Sequence, residues 1–304
     1  MRLRIFIRWY VARTYSPNCP EPAGEGAMPS GNSSSPIPPT LRRFTPQGKL
    51  MDIKIIYEDN DVLVVDKPAG IVVFDEATPN GSTALSRLTL IDELIEKYPD
   101  LKAVGEAPRY GIVHRLDKDT SGVLLVAKST ETLIFLQKCF KNREVEKKYV
   151  CLVEGIIKED SGRIETLIGR APGDKRKQKA YPLNEAGPGK REATTEYRVL
   201  QRYAESPISP RLHGATKVNE FTLVEVKIKT GRRHQIRCHF SYLQHPIAGD
   251  KLYSFKNEKI PKGLTRQFLH AKYLKIQLPS GQIKEFGSEL PEELKKVINN
   301  LEKE

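Results

Sequence analysis

Regular spacing of apolar residues begins at Ile53. Ile53, Ile55 and Tyr57 alternate with polar residues, 58–61 makes a turn, and 62–65 is a continuous apolar run, a half-buried strand followed by a fully buried one. Asp66-Lys-Pro-Ala-Gly70 reads as a tight turn, with Pro68 fixing φ and Gly70 tolerating φ > 0, into a further strand over 71–74. Residues 83–98 carry Leu85, Leu88, Ile91 and Ile95 at the spacing of one helix face. A second helix starts at a Ser129 or Thr130 cap and buries Leu133, Leu136 and Phe140. Residues 145–155 form a strand that is apolar on both faces, and 221–229 alternates Val224, Val226 and Ile228. The stretch 232–246 is helical, with Ile236, Phe240 and Leu243 inward and His234, Arg237 and Ser241 on another face, until Pro246 stops it. Leu274, Ile276 and Leu278 alternate before a Pro-Ser-Gly turn, and 291–301 is a short charged terminal helix.

Residues 1–50 show no such period. Prolines and Gly/Ser runs such as Ser30-Gly-Asn-Ser-Ser-Ser35 dominate them, a composition that buries too little to offset the entropy of ordering, so a disordered leader precedes one folded domain over 51–304. Arg2, Arg4, Arg8 and Arg13, with no acid nearby, fit an organellar transit peptide. They fit equally a start codon placed too early, because Met51 stands directly before the first strand.

Composition narrows the function classes. A formal net charge of +12 and a pI near 9.4 call for a polyanionic partner, most commonly nucleic acid, or else a solvated Lys-rich surface. Cys19, Cys139, Cys151 and Cys238 are far apart and form no Cys-x-x-Cys, which argues for buried reduced thiols in a reducing compartment rather than disulfides or zinc. No Walker A or Gly-x-Gly-x-x-Gly stretch occurs, and no apolar run approaches the roughly 20 residues of a membrane span, so neither a nucleotide cofactor nor a membrane is expected. Residues 170–191 hold seven cations, among them Arg170, Lys175, Lys179 and Arg191, against Asp174 and Glu185. They read as a loop, either simply solvated or a phosphate-contacting arm. Residues 203–219 read as another surface loop.

The most polar turn lies between two apolar runs, Ile112-Val113 and 123–127. Within it Asp117 sits among His114, Arg115, Asp119, Thr120, Ser121 and Gly122. A carboxylate so placed can be a nucleophile, a base, a metal ligand, half of an ion pair, or the cap of a turn.

His114-Arg-Leu-Asp117-x-x-Thr120-Ser-Gly122, followed by an apolar strand ending in Ala127-Lys128, resembles the signature of the RluA-type pseudouridine synthases. Asp66-Lys-Pro-Ala-Gly70, Lys147-x-Tyr149-x-x-x-Val153-x-Gly155, Thr230-Gly-Arg232-x-His234-Gln-Ile-Arg237 with His245-Pro-x-x-Gly249-Asp250, and a closing hairpin from Gln267 are similar to its further motifs, so the likeness runs over about 53–294. It departs at Phe74-Asp75, where the family has His-Pro, and no S4-like RNA-binding domain is recognisable in front. The resemblance implies an α+β pseudouridine synthase fold: a mixed, mostly antiparallel sheet with flanking helices and loops around a central RNA-binding cleft. It implies Asp117 as the catalytic carboxylate, Tyr149 beside the target base, and a basic partner for Asp117, with Arg237 the first choice and Arg232 the second. His114, Arg115, Thr120, Ser121, Gly122, Arg232, His234 and Gln235 are the implied substrate contacts.

A monomer is expected, working on RNA without metal or cofactor, with large-subunit ribosomal RNA ahead of transfer RNA as substrate. Whether Asp117 adds to ribose C1′ or removes the C2′ proton stays open. Two rival readings are an inert RNA-binding or ribosome-assembly protein on the same scaffold and an Asp-dependent hydrolase. The hydrolase would need a second carboxylate or a metal cluster at readable spacing, and the sequence offers neither. The expected location is cytoplasmic, or organellar if the leader is a transit peptide.

Overall fold

The computed structural model describes residues 53–75, 88–205 and 219–303. The expected leader, Met51, Leu85 and Cys19 lie outside them. One sheet organises the described residues. Its strands run in the order β1 (Lys54–Glu58), β2 (Val62–Lys67), β3 (Ser121–Ala127), β9 (Leu269–Gln277), β4 (Glu146–Glu154), β8 (Asn219–Ile228), β7 (Arg191–Glu205), β5 (Ser161–Ala171) and β6 (Asp174–Tyr181). Two further strands, β10 (Ile283–Gly287) on β9 and β11 (Glu302–Lys303) on β7, complete it. Four helices, α1 (Leu90–Lys97), α2 (Thr130–Lys141), α3 (Gln235–Tyr242) and α4 (Glu292–Asn299), accompany the strands. The architecture is α+β, and among the described residues every named strand pair is antiparallel except β3 with β9.

That parallel pair matters most for function, because the Asp117 turn enters the sheet there. All of β3 is buried, as its unbroken apolar run requires. Its first residues meet β9 at Ser121↔His270 and Gly122↔Ala271. Gly122 has φ +118°, and a Cβ on it would stand 2.1 Å from the Ala271 carbonyl oxygen. Only glycine permits this approach. Gly122→Ala is therefore expected to destabilise the protein by about 3 kcal/mol, from backbone strain and overpacking together, and to lower the urea midpoint accordingly. An unchanged midpoint would show that the two strands can part.

Local chemistry explains where several elements begin. Thr89 caps α1: its side chain accepts from Asp92 N–H while Asp92 accepts from Thr89 N–H. Ser129 caps α2 by accepting from Thr132 N–H at 3.1 Å. Leu133, Leu136 and Cys139 face the core, whereas Phe140 is only half-buried and turns toward a cavity.

Three expectations are corrected. Residues 71–74 are not a strand: the Val72 and Val73 carbonyls accept from Leu90 and Ile91 N–H, satisfying the free donors at the start of α1. Residues 170–191 are not a loop throughout. β5 and β6 pair as a hairpin, burying Ile168, Ala180 and Tyr181, and only 182–190 is irregular. The Lys/Arg-rich strand β6 stands at the sheet edge, where charge discourages pairing with another chain, so it lacks the apolar alternation that marks inner strands. Of 203–219, residues 203–205 finish β7, 219 opens β8, and 206–218 lie outside the described residues.

Candidate active site

The turn carrying Asp117 is fixed from behind at nearly every peptide. Thr120 N–H donates to the Asp117 carbonyl at 3.1 Å, and Gly70 N–H to that of Lys118 at 2.9 Å. Lys67, fully buried at the end of β2, donates its ammonium to the Pro68 and Lys118 carbonyls at 2.7 and 3.0 Å. Burial pushes the Lys67 pKa down to about 7, with Asp119 and Asp117 opposing. Arg266 bonds the Asp119 carbonyl and the Ser121 hydroxyl, each at 3.0 Å, and Gln267 donates to the Thr120 hydroxyl at 2.8 Å. A turn tied down this way presents its remaining group, the Asp117 carboxylate, in one direction.

That carboxylate is one-fifth exposed, and its Oδ2 accepts from Arg237 Nη1 at 2.9 Å. Arg237 on α3 gives Nε and Nη2 to Asp250, at 2.7 and 2.8 Å, in the two-pronged geometry that suits a guanidinium to a carboxylate. Asp250 has no exposed surface and also accepts from Leu252 and Tyr253 N–H. Burial works against the Arg237 charge, but Asp250 and then Asp117 outweigh it and raise the pKa further. Of the two candidate partners for Asp117, Arg237 makes the contact. Arg232 Nε instead donates to the Glu192 carbonyl at 2.9 Å, its pKa lowered by burial and by Arg191 and Arg143.

A cavity of about 680 Å³ opens above this pair. Tyr149 and Leu269 line it together with Phe140, Arg143, Lys147, Lys229, Arg232 and Arg233; among the described residues that line it, Asp117 is the only acid. The volume lies within the range of small-ligand sites, and the wall suits a polyanion. Tyr149 is buried, and burial together with Asp117 pushes its hydroxyl pKa upward, so it stays un-ionised.

The other predicted contacts divide. Arg115 lines the cavity with its guanidinium 5.1 Å over the Phe74 ring, which Arg109 also approaches at 5.2 Å. His234 lines it with Nε2 3.8 Å from Asp117 Oδ1. His114 reaches it but stacks on Phe140 and accepts the Leu125 N–H through Nε2 at 3.0 Å; burial drives its pKa down to about 3, so the neutral ring serves to fasten the turn to β3. Thr120 and Gln235 border the cavity with polar groups already engaged. All four bonds of the Gln235 amide are made, from Thr230 Oγ1 and Arg232 N–H and to the Thr194 carbonyl and Thr195 Oγ1. Ser121 and Gly122 lie off the cavity. The Ser121 hydroxyl bonds His270 and Arg266, and Gly122 packs on Ala271, so both hold the turn in place. Asp250, Lys67, Arg266 and Tyr253 are not among the residues expected in the site. Asp250 and Lys67 do fall within quoted motifs, but their duties are to other side chains and backbone and leave no periodic mark.

Among the described residues, no group of three or more His, Cys, Asp or Glu could hold a metal ion, and no helix is long and apolar enough to cross a membrane. Cys139, Cys151 and Cys238 are buried free thiols.

A family model described as RNA pseudouridylate synthase matches residues 61–242. A protein of Aquifex aeolicus (strain VF5) named as an uncharacterized RNA pseudouridine synthase is 40% identical over 256 residues, covering 82% of this chain and 73% of that one. The ribosomal large subunit pseudouridine synthase D of Yersinia pestis is 34% identical over 271 residues, 85% and 73% of the two chains. The solved structure of human RNA pseudouridylate synthase domain containing 1 aligns with a TM-score of 0.63 at 27% identity, covering 84% of this chain and 91% of that one. Human domain containing 4 aligns at 0.58 and 24% identity, over 82% and 93%, a likeness of fold.

Proposed function

Because the chain belongs to the RNA pseudouridylate synthase family and so isomerises uridine to pseudouridine in RNA, we propose that Asp117 is its nucleophile and that large-subunit ribosomal RNA is its substrate. The observation that carries the proposal is the Asp117–Arg237 contact at 2.9 Å beneath a cation-walled cavity large enough for an extruded nucleotide. The ribosomal substrate is supported by relatives named for the large ribosomal subunit.

Of the two routes open to Asp117, addition to C1′ is the one proposed. An Asp117 oxygen forms a bond to ribose C1′ as the C1′–N1 bond breaks, and the electron pair leaves on the uracil. The base turns until C5 faces C1′, and C5 displaces the carboxylate as the new C–C bond forms. The C5 proton then departs, and N1 ends protonated. One carboxylate suffices, as in retaining glycoside chemistry. Extruding the uridine costs a few kcal/mol, offset by stacking on Tyr149 and by phosphate contacts along the cavity rim.

The test is RNA labelled with tritium at uridine C5. The protein is expected to release label while the strand stays intact; release with strand scission would indicate a hydrolase, and no release with tight binding an inert scaffold. Mapping pseudouridines after gene deletion checks the substrate, since losses confined to transfer RNA would move the assignment. The rim has its own prediction. Arg143→Gln and Arg233→Gln should weaken RNA binding evenly across sequences and flatten the slope of log K against log salt by roughly 0.7 to 0.9 per lost phosphate contact, measured by filter binding. An unchanged slope would place the RNA backbone elsewhere.

A further inference from the structure

His234, like Arg143 elsewhere in the cavity wall, has a left-handed backbone, here φ 54° and ψ 23°, a conformation that a residue with a Cβ adopts at some cost. Its ring contacts explain why that conformation is held. Nδ1 lies 2.9 Å from the Tyr253 hydroxyl, and the same hydroxyl oxygen accepts the Gln178 N–H of β6 at 2.7 Å. With that N–H occupying the phenol oxygen, the hydroxyl's own hydrogen is directed to the imidazole. An oxygen that already accepts one N–H is best satisfied by donating its own hydrogen, an arrangement in which Nδ1 is the acceptor and the ring proton sits on Nε2. Nε2 faces Asp117 Oδ1, the oxygen that Arg237 does not take, at 3.8 Å. Tyr253 serves the other donor too, its ring lying 5.0 Å from the Arg237 guanidinium.

We propose that Tyr253 is a positioning residue that locks His234 in the Nε2–H tautomer, so that each Asp117 oxygen faces its own donor: charged Arg237 on Oδ2 and neutral His234 on Oδ1. The assignment rests on the reading of Asp117 as the reacting group. Burial pushes the His234 pKa down to about 4 against the pull of Asp117, which keeps the ring neutral in the working range. A neutral donor orients the carboxylate without adding a second cation that would blunt its attack. The 3.8 Å separation exceeds a hydrogen bond, and contacts of this kind tighten when substrate fills the site.

The test uses the full chain labelled with [15N]histidine, the His234 signals assigned by their loss in His234→Gln. Long-range proton–nitrogen correlations at neutral pH are expected to show His234 with a bare Nδ1 and a protonated Nε2. Tyr253→Phe, which keeps the ring and removes the hydroxyl, is expected to give a tautomer mixture and about tenfold lower kcat for C5-label release in the folded protein, with KM for RNA unchanged and the thermal midpoint lowered by the loss of the Gln178 N–H bond. A wild-type ring protonated on Nδ1 overturns the proposal, and that spectrum does not depend on the variant folding. Wild-type kcat in Tyr253→Phe overturns it as well, as does a lowered kcat with an unaltered His234 spectrum, which would assign the hydroxyl to fold support. Wild-type protein that releases no label strikes the functional reading instead, whatever the tautomer.

Discussion

Asp117→Asn is expected to lower C5-label release by about 10⁴-fold or more, while RNA affinity and folding stay close to wild type. The amide is isosteric and leaves an oxygen for Arg237, but it has no charge with which to attack an anomeric carbon. Affinity is expected to survive because the cations proposed to meet phosphate, Arg143 and Arg233 among them, are separate residues of the cavity wall. Folding survives for two reasons visible in the contacts. The turn is fastened through its backbone by Lys67, Gly70 and Arg266, and Arg237 keeps Asp250 as a counter-charge. Single-turnover label release paired with filter binding separates the two effects. Substantial turnover by the variant would remove Asp117 from its role.

The second large effect is expected at Asp250, which touches no substrate. Asp250→Asn replaces an acceptor of two guanidinium N–H groups by an amide whose NH₂ end faces one of them. Among the described residues Arg237 then remains a buried cation with Asp117 as its one anionic contact, free to rotate onto both Asp117 oxygens. A displacement of about 1 Å at a reacting group can cost about 10²-fold in rate, and kcat is expected to fall by that order with KM nearly unchanged. Because a buried ion pair is broken, stability should fall by about 3 kcal/mol in urea unfolding, so kcat has to be measured where the variant is still folded. A loss confined to stability, with full kcat in the folded fraction, would separate Asp250 from the chemistry.

How much of this the amino-acid pattern discloses depends on what each residue answers to. Strands β2, β3 and β4 are apolar on both faces, α2 opens at a serine cap, and β9 with β10 brackets a Pro-Ser-Gly turn. Each of these answers to local rules, and each is readable. The β5–β6 hairpin is not, because an edge strand of Lys, Arg and Gln carries no apolar period and owes its pairing to the neighbouring strand. Residues 71–74 have the composition of a strand, yet their carbonyls are claimed by the start of α1, a tertiary choice. In the site, Asp117, Tyr149 and Arg237 come from motifs far apart in the chain that converge on one cavity. The motif could not say whether Arg237 or Arg232 reaches Asp117; the answer lies in α3, which sets Arg237 between two carboxylates. Ser121 and Gly122 share the same motif yet point away from the cavity, because a motif records support as well as contact.

The most direct test is a structure of the wild-type protein with a ribosomal RNA fragment bearing 5-fluorouridine at the modified position, where fluorine replaces the C5 hydrogen and so prevents the final deprotonation. The expected result is a base turned out of the RNA stack into the cavity beside Tyr149, with an Asp117 oxygen within about 3.5 Å of C1′ and Arg237 still on the other side of the carboxylate. A uridine left stacked in the RNA, or seated in the cavity with its sugar turned away from Asp117, would contradict the account.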